Sequence, residues 1–502
     1  MKIHDVRVCP SSTHLPFKDQ LAFKLAQSAC DPAPLTDDVK EMITLRITDN
    51  TGVALASLNR STASCARSQA LCHPKDARGS SVYGIPSTQL ISPEWAAWAN
   101  GTAVRELDYH DTYLAKDYSH PADNIPPLIA VAQALKLSSD RLLSGIAAAY
   151  EIQVALVKGI CLHKYKKDHI AHLGPSVAAG LGAMLGLSPE VTAHAISQAL
   201  HTCCSTRQSR KGDISGWKAF APAFAGKAGI EATDRAMRGE RSPSPIYEGE
   251  DGFISWMLGG PDDHYSIALP EPGEPKTAIL ETWTKEHSAE YQAQPWIDLG
   301  IKLHKEIKDT DDIESIEIIS SHHTHIVIGT GSGDPQKFDP DASRETLDHS
   351  LMYIFATALH DGSWHHQQSY DPSKAKSEKI QRLWRNIQTR EDQAWTDAYL
   401  DENPAHKKFG GQVRIRFKNG EILEAIQNHA NAHPLGQDPF KKPGYIRKFE
   451  TLTQGILSEQ STREFLTFMD SMLSSAQTDL SRLFPAPEFP LNTVTRDQKG
   501  LF

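Results

Sequence analysis

Between residues 106 and 127 the stretch ELDYHDTYLAKDYSHPADNIPP gathers Asp108, His110, Asp111, Thr112, His120, Asp123 and Asn124. Histidine titrates near neutral pH, and a neighbouring carboxylate can orient its ring, so this composition suits proton transfer. The same residues also read as a solvated loop with Asx turns. A second set, HKYKKDHIAHLGPS, brings His163, Asp168, His169 and His172 together. His169 and His172 stand three apart, a spacing that serves a shared site or simple local pairing on one helical face. Cations follow in TRQSRKGDISGWKAFAP, with Arg207, Arg210, Lys211 and Lys218. Beside a helix start such groups can bind carboxylates, because the helix N-terminus adds its own positive end. Lys211 fits an ordinary surface loop, whereas Lys218 sits one residue into an apolar helix.

Further along, KEHSAEYQAQ offers Lys285, His287, Glu290, Tyr291 and Gln292, and SHHTH offers His322, His323 and His325. His323 and His325 would share one face of a strand, but two histidines without a placed carboxylate are a poor metal set, and no metal is assigned. His349 in LDHSLMY and the His365–His366 pair in WHHQQ read equally well as helix surface. There is no G-x-S-x-G elbow, GxxxxGK[ST] loop, H-E-x-x-H helix or dinucleotide glycine fingerprint, which removes support for hydrolase, NTPase and dehydrogenase readings.

Helices must carry most of these groups. Pro93 after Ser92 and Pro189 after Ser188 mark helix starts. SDRLLSGIAAAYEIQVALVKGICL repeats apolar residues at three- and four-residue spacing, and WKAFAPAFAGKAGIEATDRAMRGE runs to Gly239. The abundant Gly and Ala predict close helix crossings. A polar, Pro/Gly-rich passage at 259–275 reads as a boundary. Beyond it, DIESIEIISSHHTHIVIG predicts a strand, and GGQVRIRFKNGEILEAI predicts a hairpin with a two-residue Asn-Gly turn. A helix through ETLDHSLMYIFATALHDG lies between them, and helical pattern returns after HPLGQDP. The expected fold is mainly α with an α+β insertion: a large all-helical domain (1–275 and 435–502) and a smaller α+β lid domain (276–434).

With 502 residues the chain exceeds one hydrophobic core. It carries 52 Lys+Arg against 62 Asp+Glu, a net charge of −10, which makes nucleic acid an unexpected partner. The longest nearly unbroken apolar stretch, GPSVAAGLGAMLGL, is fourteen residues, and a spanning helix needs roughly 20, so no membrane span is expected. MKIHDVRVCPSSTHL has neither the apolar core of a signal peptide nor the character of a transit peptide, and a cytoplasmic location is expected. Seven cysteines without a C-x-x-C pair fit reduced thiols, with neither a zinc ribbon nor an iron-sulfur cluster.

LDYHDTYLAKDYSHPADNIPP, DHIAHLGPSVAAGLGAMLGL, TRQSRKGDISGWKAFAPAFAGKAGIEA, KEHSAEYQAQ and DHSLMYIFA, in this order, resemble the MmgE/PrpD family, most closely its 2-methylcitrate dehydratases. The resemblance covers about residues 35–470. It implies a homodimeric lyase, free of an obligatory cofactor, acting on a small tricarboxylate. The family's other activities, cis-aconitate decarboxylation and iminodisuccinate epimerisation, are alternatives, as is a non-catalytic tricarboxylate-binding protein. Carried onto this sequence, the family's motifs fall on Asp108, Thr112, His120, His169, Lys218, Lys285 and Tyr353. Glu290 stands where decarboxylases have a histidine, and AEYQAQ is similar to the dehydratase form. The expected roles are His120 and His169 as acid and base in unassigned order, Asp108 as their tuning group, and Lys218, Lys285 and Arg207 on substrate carboxylates. Thr112, Glu290 and Tyr353 complete the expected substrate-binding set.

Overall fold

The computed structural model describes residues 1–488, 491, 500 and 501. Residues 489–490, 492–499 and 502, the end of the expected C-terminal return, lie outside the described residues. Both proline starts appear as expected: helices run Pro93–Arg105 and Pro189–Cys203, and Ser188 Oγ accepts from Val191 N–H at 3.3 Å. Ser139–Gly159, Ile170–Leu185 and Trp217–Met237 supply the central layer. Ser139–Gly159 is long and apolar enough to cross a membrane, and 83% of its apolar window is buried within the fold, so here it is a core helix.

The small residues act where helices cross. A Cβ on Gly180 would lie 2.8 Å from both Ala149 Cβ and Gly145 O, and one on Gly145 would lie 2.7 Å from Met184 Cβ. Gly180→Val is therefore expected to destabilise the protein by about 1–3 kcal/mol, since backbone cannot move aside as a flexible side chain can. A lower urea midpoint at unchanged m-value would show it.

The C-terminal helices Lys442–Thr453 and Glu459–Ser474 pack back on Asp37–Ser57. Phe449, Phe465 and Phe468 join Val39, Ile43 and Ile47 in one core. A separate core forms around Trp296, Tyr353, Phe355 and Trp384. Against it lies a four-stranded sheet ordered Ile387–Glu391, Ile313–Ser320, Gly411–Phe417, Ile422–Gln427. The first pair is parallel and the others antiparallel. A junction cluster that includes Tyr113, Val154, Trp283, Tyr291, Tyr399 and Phe409 joins the two regions.

Three expectations change. The helical part is not purely helical, because Lys2–Arg7 pairs antiparallel with His264–Leu269, which lies inside the expected boundary passage. Neither strand reveals its distant partner in the local pattern. SHHTH is a helix, His322–Val327, started by Ser321 Oγ accepting from Thr324 N–H, so its histidines do not share a strand face. The Asn-Gly hairpin closes with a three-residue loop: Phe417 N–H donates to Glu421 O at 2.9 Å. Gly420 alone of the pair has positive φ (89°), whereas a two-residue type I′ turn needs it at Asn419 too.

Candidate active site

The helix Pro93–Arg105 delivers Arg105 to its last turn, and the chain then turns sharply at Asp108, which holds φ at 48°. That left-handed conformation costs a residue with a Cβ about 1–2 kcal/mol. Here it aims a buried carboxylate at three cations. Arg105 Nη1 donates to Oδ1. Lys285 Nζ donates to Oδ1 at 2.6 Å and to the Asp108 carbonyl at 3.0 Å, while Lys218 Nζ lies 3.0 Å from Oδ2. Lys218 also donates to Asp348 Oδ1 at 2.8 Å and Oδ2 at 3.0 Å, and Arg344 Nη1 reaches Asp348 Oδ2 at 3.3 Å. His349 Nδ1 touches both Lys218 and Asp348.

Burial alone would raise the Asp108 carboxyl, but Arg105, Lys218 and Lys285 outweigh it and hold the group well below the usual carboxylate range. Burial, with Arg105 adding repulsion, lowers the Lys285 ammonium against the pull of Asp108. Arg105, Lys218, Lys285 and Arg344 thus face the two carboxylates Asp108 and Asp348. More positive than negative charge is concentrated at this node, the condition under which a polyanionic ligand is welcome.

The loop beyond Asp108 fixes the histidines. Asp111 Oδ1 accepts from Ala122 N–H at 2.9 Å and Oδ2 accepts from Tyr150 Oη at 2.8 Å. His120 Nδ1 donates to Asp111 O at 2.8 Å. A carbonyl oxygen can only accept, so Nδ1 carries the hydrogen and Nε2 keeps its lone pair. Burial, then Arg105 and Lys285, push His120 well below its ordinary value, and the ring is neutral at pH 7. His169 lies edge-on to it with centroids 5.5 Å apart, both ring nitrogens buried and unpartnered. Burial and Arg210 lower His169 to about 3. Behind it Asp168 accepts from Ser209 Oγ at 2.7 Å and Arg210 Nε at 3.1 Å.

A third element closes the frame from the C-terminal helix. Lys448 Nζ donates to Tyr109 O at 2.6 Å and Lys285 O at 2.8 Å, and pairs with Asp49 at 2.6 Å. One buried ammonium therefore ties together the two segments that carry Asp108 and Lys285.

Ligand atoms of Asp108, His110 and His120 lie within 4.8 Å of one another, as do those of Asp108, Asp348 and His349. These two sets share Asp108, whose carboxylate is already engaged by three cations that would repel a divalent ion; a third set, Glu286, His287 and Asp298, does not include it, and there His287 Nε2 already pairs with Asp298 Oδ1 at 2.8 Å. Neither SHHTH nor WHHQQ contributes to a metal-competent group among the described residues.

Family models place this architecture. The MmgE/PrpD N-terminal domain matches residues 19–266 and the MmgE/PrpD C-terminal domain matches residues 287–472. The chain belongs to the MmgE/PrpD family. This MmgE/PrpD chain is 26% identical over 403 residues to the mitochondrial 2-methylcitrate dehydratase of Yarrowia lipolytica, covering 76% of this chain and 74% of that protein. It is 24% identical over 412 residues to the 2-methylcitrate dehydratase of Salmonella typhimurium, covering 79% and 82%. An alkylcitrate dehydratase of Talaromyces stipitatus is 24% identical over 484 residues, covering 91% and 92%.

In this MmgE/PrpD chain the node brings together Asp108, Lys218 and Lys285, with His120 and then His169 beside it. Glu290 N–H donates to Asp348 O at 3.1 Å. Three expected ligand groups stand apart. Arg207 Nε donates to Tyr118 Oη at 2.8 Å and lines a cleft of about 970 Å³ with His163, Lys166, Lys167 and Lys211, while Arg210 faces Asp168 instead. Thr112 Oγ1 donates to Ser119 O at 3.2 Å, and its backbone exchanges hydrogen bonds with Trp283, so it braces the loop. Tyr353 is wholly buried, its hydroxyl donating to Ser369 O and its ring against Trp384. Sequence reasoning missed Arg105, Arg344, Asp348 and Lys448 and left His349 open between a site residue and helix surface. The signal for Asp348 and His349 was present: two titratable residues just ahead of the largely apolar LMYIFA run.

Proposed function

We propose that this chain is a 2-methylcitrate dehydratase that eliminates water from 2-methylcitrate to give 2-methyl-cis-aconitate without a cofactor. The observation that carries the reading is the convergence of Lys218 and Lys285 on Asp108, next to a neutral His120 with Nε2 free to accept a proton. Relatives that bear this activity in their names support it over most of the chain's length.

Elimination removes a proton from a carbon next to a carboxylate and expels the hydroxyl from the neighbouring carbon. The flanking carboxylate must take up a second negative charge, so fixed cations beside it lower the barrier most. Lys218 and Lys285 would hold that carboxylate, with Arg105 and Arg344 keeping the field positive. His120 Nε2 would take the proton. His169, neutral and unpartnered, would face the substrate as a hydrogen-bonding group. Residues 276–434, which supply Lys285, Glu290, Arg344 and Asp348, would act as a lid over residues 1–275 and 435–502, excluding water from the enediolate-like intermediate. The functional form is proposed to be a homodimer, as the family resemblance implies.

Purified protein is assayed on 2-methylcitrate, citrate and cis-aconitate, with and without chelator. A rise in ultraviolet absorbance from the new C=C bond with 2-methylcitrate is expected in both conditions. Carbon dioxide from cis-aconitate without that rise would replace the reading with decarboxylation. The Talaromyces relative favours one extension, a longer 2-alkyl chain on the same tricarboxylate, which 2-alkylcitrates of increasing length would test.

A further inference from the structure

Dehydration needs a proton donor for the departing hydroxyl as well as a base for the carbon. The two histidines at the node do not supply one: His120 presents a lone pair, and His169 is held neutral. Resting on the dehydratase reading above, we propose that Glu290 is the general acid, donating its proton to the hydroxyl that leaves.

The backbone of Glu290 is anchored by its N–H to Asp348 O at 3.1 Å, beside the carboxylate that Lys218 grips. Its Oε2 accepts from Gln292 N–H at 2.6 Å, which fixes the plane of the carboxyl. Oε1 has no protein partner among the described residues, and the side chain is partly exposed rather than sealed. One oxygen is thus held and the other is open to a ligand at the node. Lys285, Lys218 and Asp108 face the carboxyl, together with the phenols of Tyr291 and Tyr399. Burial first, and then Asp108, raise the group to about 7 against the pull of both lysines. A carboxylic acid in this range can give up a proton at neutral pH, whereas an ordinary glutamate has already lost it.

In the step, the C–H electron pair becomes the C=C bond and the proton passes to His120 Nε2. The C–O bond breaks with its pair on oxygen, and the Glu290 proton converts the leaving hydroxide to water. Imidazolium and carboxylate then exchange protons with solvent, and nothing is oxidised or reduced.

The test uses Glu290→Gln in the full chain on 2-methylcitrate and on the analogue with fluorine in place of the hydroxyl. Fluoride departs without needing a carboxylic acid. The variant is expected to lose about 10²-fold or more in kcat on 2-methylcitrate while approaching wild-type turnover on the fluoro analogue. In the wild type, kcat/KM falls as pH rises through about 7, because the acid must be protonated. That limb should vanish in Glu290→Gln and persist in Glu290→Asp. Equal losses on both substrates, or an unchanged kcat with the limb retained, would overturn the assignment. Wild-type protein inert toward 2-methylcitrate would instead remove the dehydratase reading, and this role with it.

Discussion

Replacing Lys218 by Met is expected to lower kcat on 2-methylcitrate by about 10²–10³-fold, the cost of losing one preorganised partner for a developing oxyanion. The ammonium bridges two buried carboxylates, Asp108 at 3.0 Å and Asp348 at 2.8 Å, so the substitution also leaves those anions short of a counter-charge. A buried pair broken on one side costs about 3–5 kcal/mol. Lys218→Met should therefore unfold at lower urea as well as turn over slowly. Lys218→Arg separates the effects: it keeps the charge and recovers stability, but its planar fork cannot occupy the same point between two carboxylates, and activity stays low. Single-turnover rates beside urea melts check both halves, and a Lys218→Met protein with near-normal turnover would remove Lys218 from the chemistry.

His120→Gln should lower kcat by about 10²–10⁴-fold, the range for losing a general base. An amide nitrogen at that position could preserve the contact to Asp111 O, but no side-chain atom would accept a proton. The sign of the pH dependence follows from the neutral ring. Burial, Arg105 and Lys285 lower the His120 value, so the acidic limb of kcat/KM in the wild type should lie below pH 6.5. Activity is full above that limb until the alkaline one begins. The measurement is kcat/KM against pH from about 4.5 to 9 for both proteins, a span that brackets the two limbs. An acidic limb above pH 6.5, or one that persists unchanged in His120→Gln, would assign the base elsewhere.

Much of the fold was legible because local signals and tertiary structure agreed. Ser188–Pro189 starts a helix in sequence and in space, and the Gly/Ala faces of Ser139–Gly159 and Ile170–Leu185 meet at Gly145 and Gly180. Where the pattern misled, a competing local choice prevailed. Ser321, the first residue of SHHTH, caps a helix, and this outweighs the β-branched run that follows. The Lys2–Arg7 strand was invisible because its partner belongs to the other end of the segment. At the node, the structure gathers Asp108, His120, His169, Lys218 and Lys285 from the motifs singled out in the sequence, whereas Arg105, Arg344, Asp348 and Lys448 were not read from it. Arg105 stands only three residues before Asp108, so that pair was open to a local reading and was passed over, whereas Lys448 is a single cation in an ordinary helical context that only three-dimensional packing brings to Tyr109 and Lys285. Tyr353, read from its motif as a substrate ligand, is packed wholly inside the core with its hydroxyl on Ser369 O.

The buried contact from Lys448 also orders events in time. Synthesis runs from the N-terminus, so Asp108, His120, Lys218 and Lys285 all leave the ribosome well before residue 448. Until that late helix docks, the two carbonyls it grips have no common partner, and the Asp108 and Lys285 segments are held only by their own direct bonds. A chain ending before residue 448 would thus keep the ion pairs of Asp108 with Lys218 and Lys285 but leave the Tyr109 and Lys285 carbonyls, and the Asp49 carboxylate, without their buried ammonium.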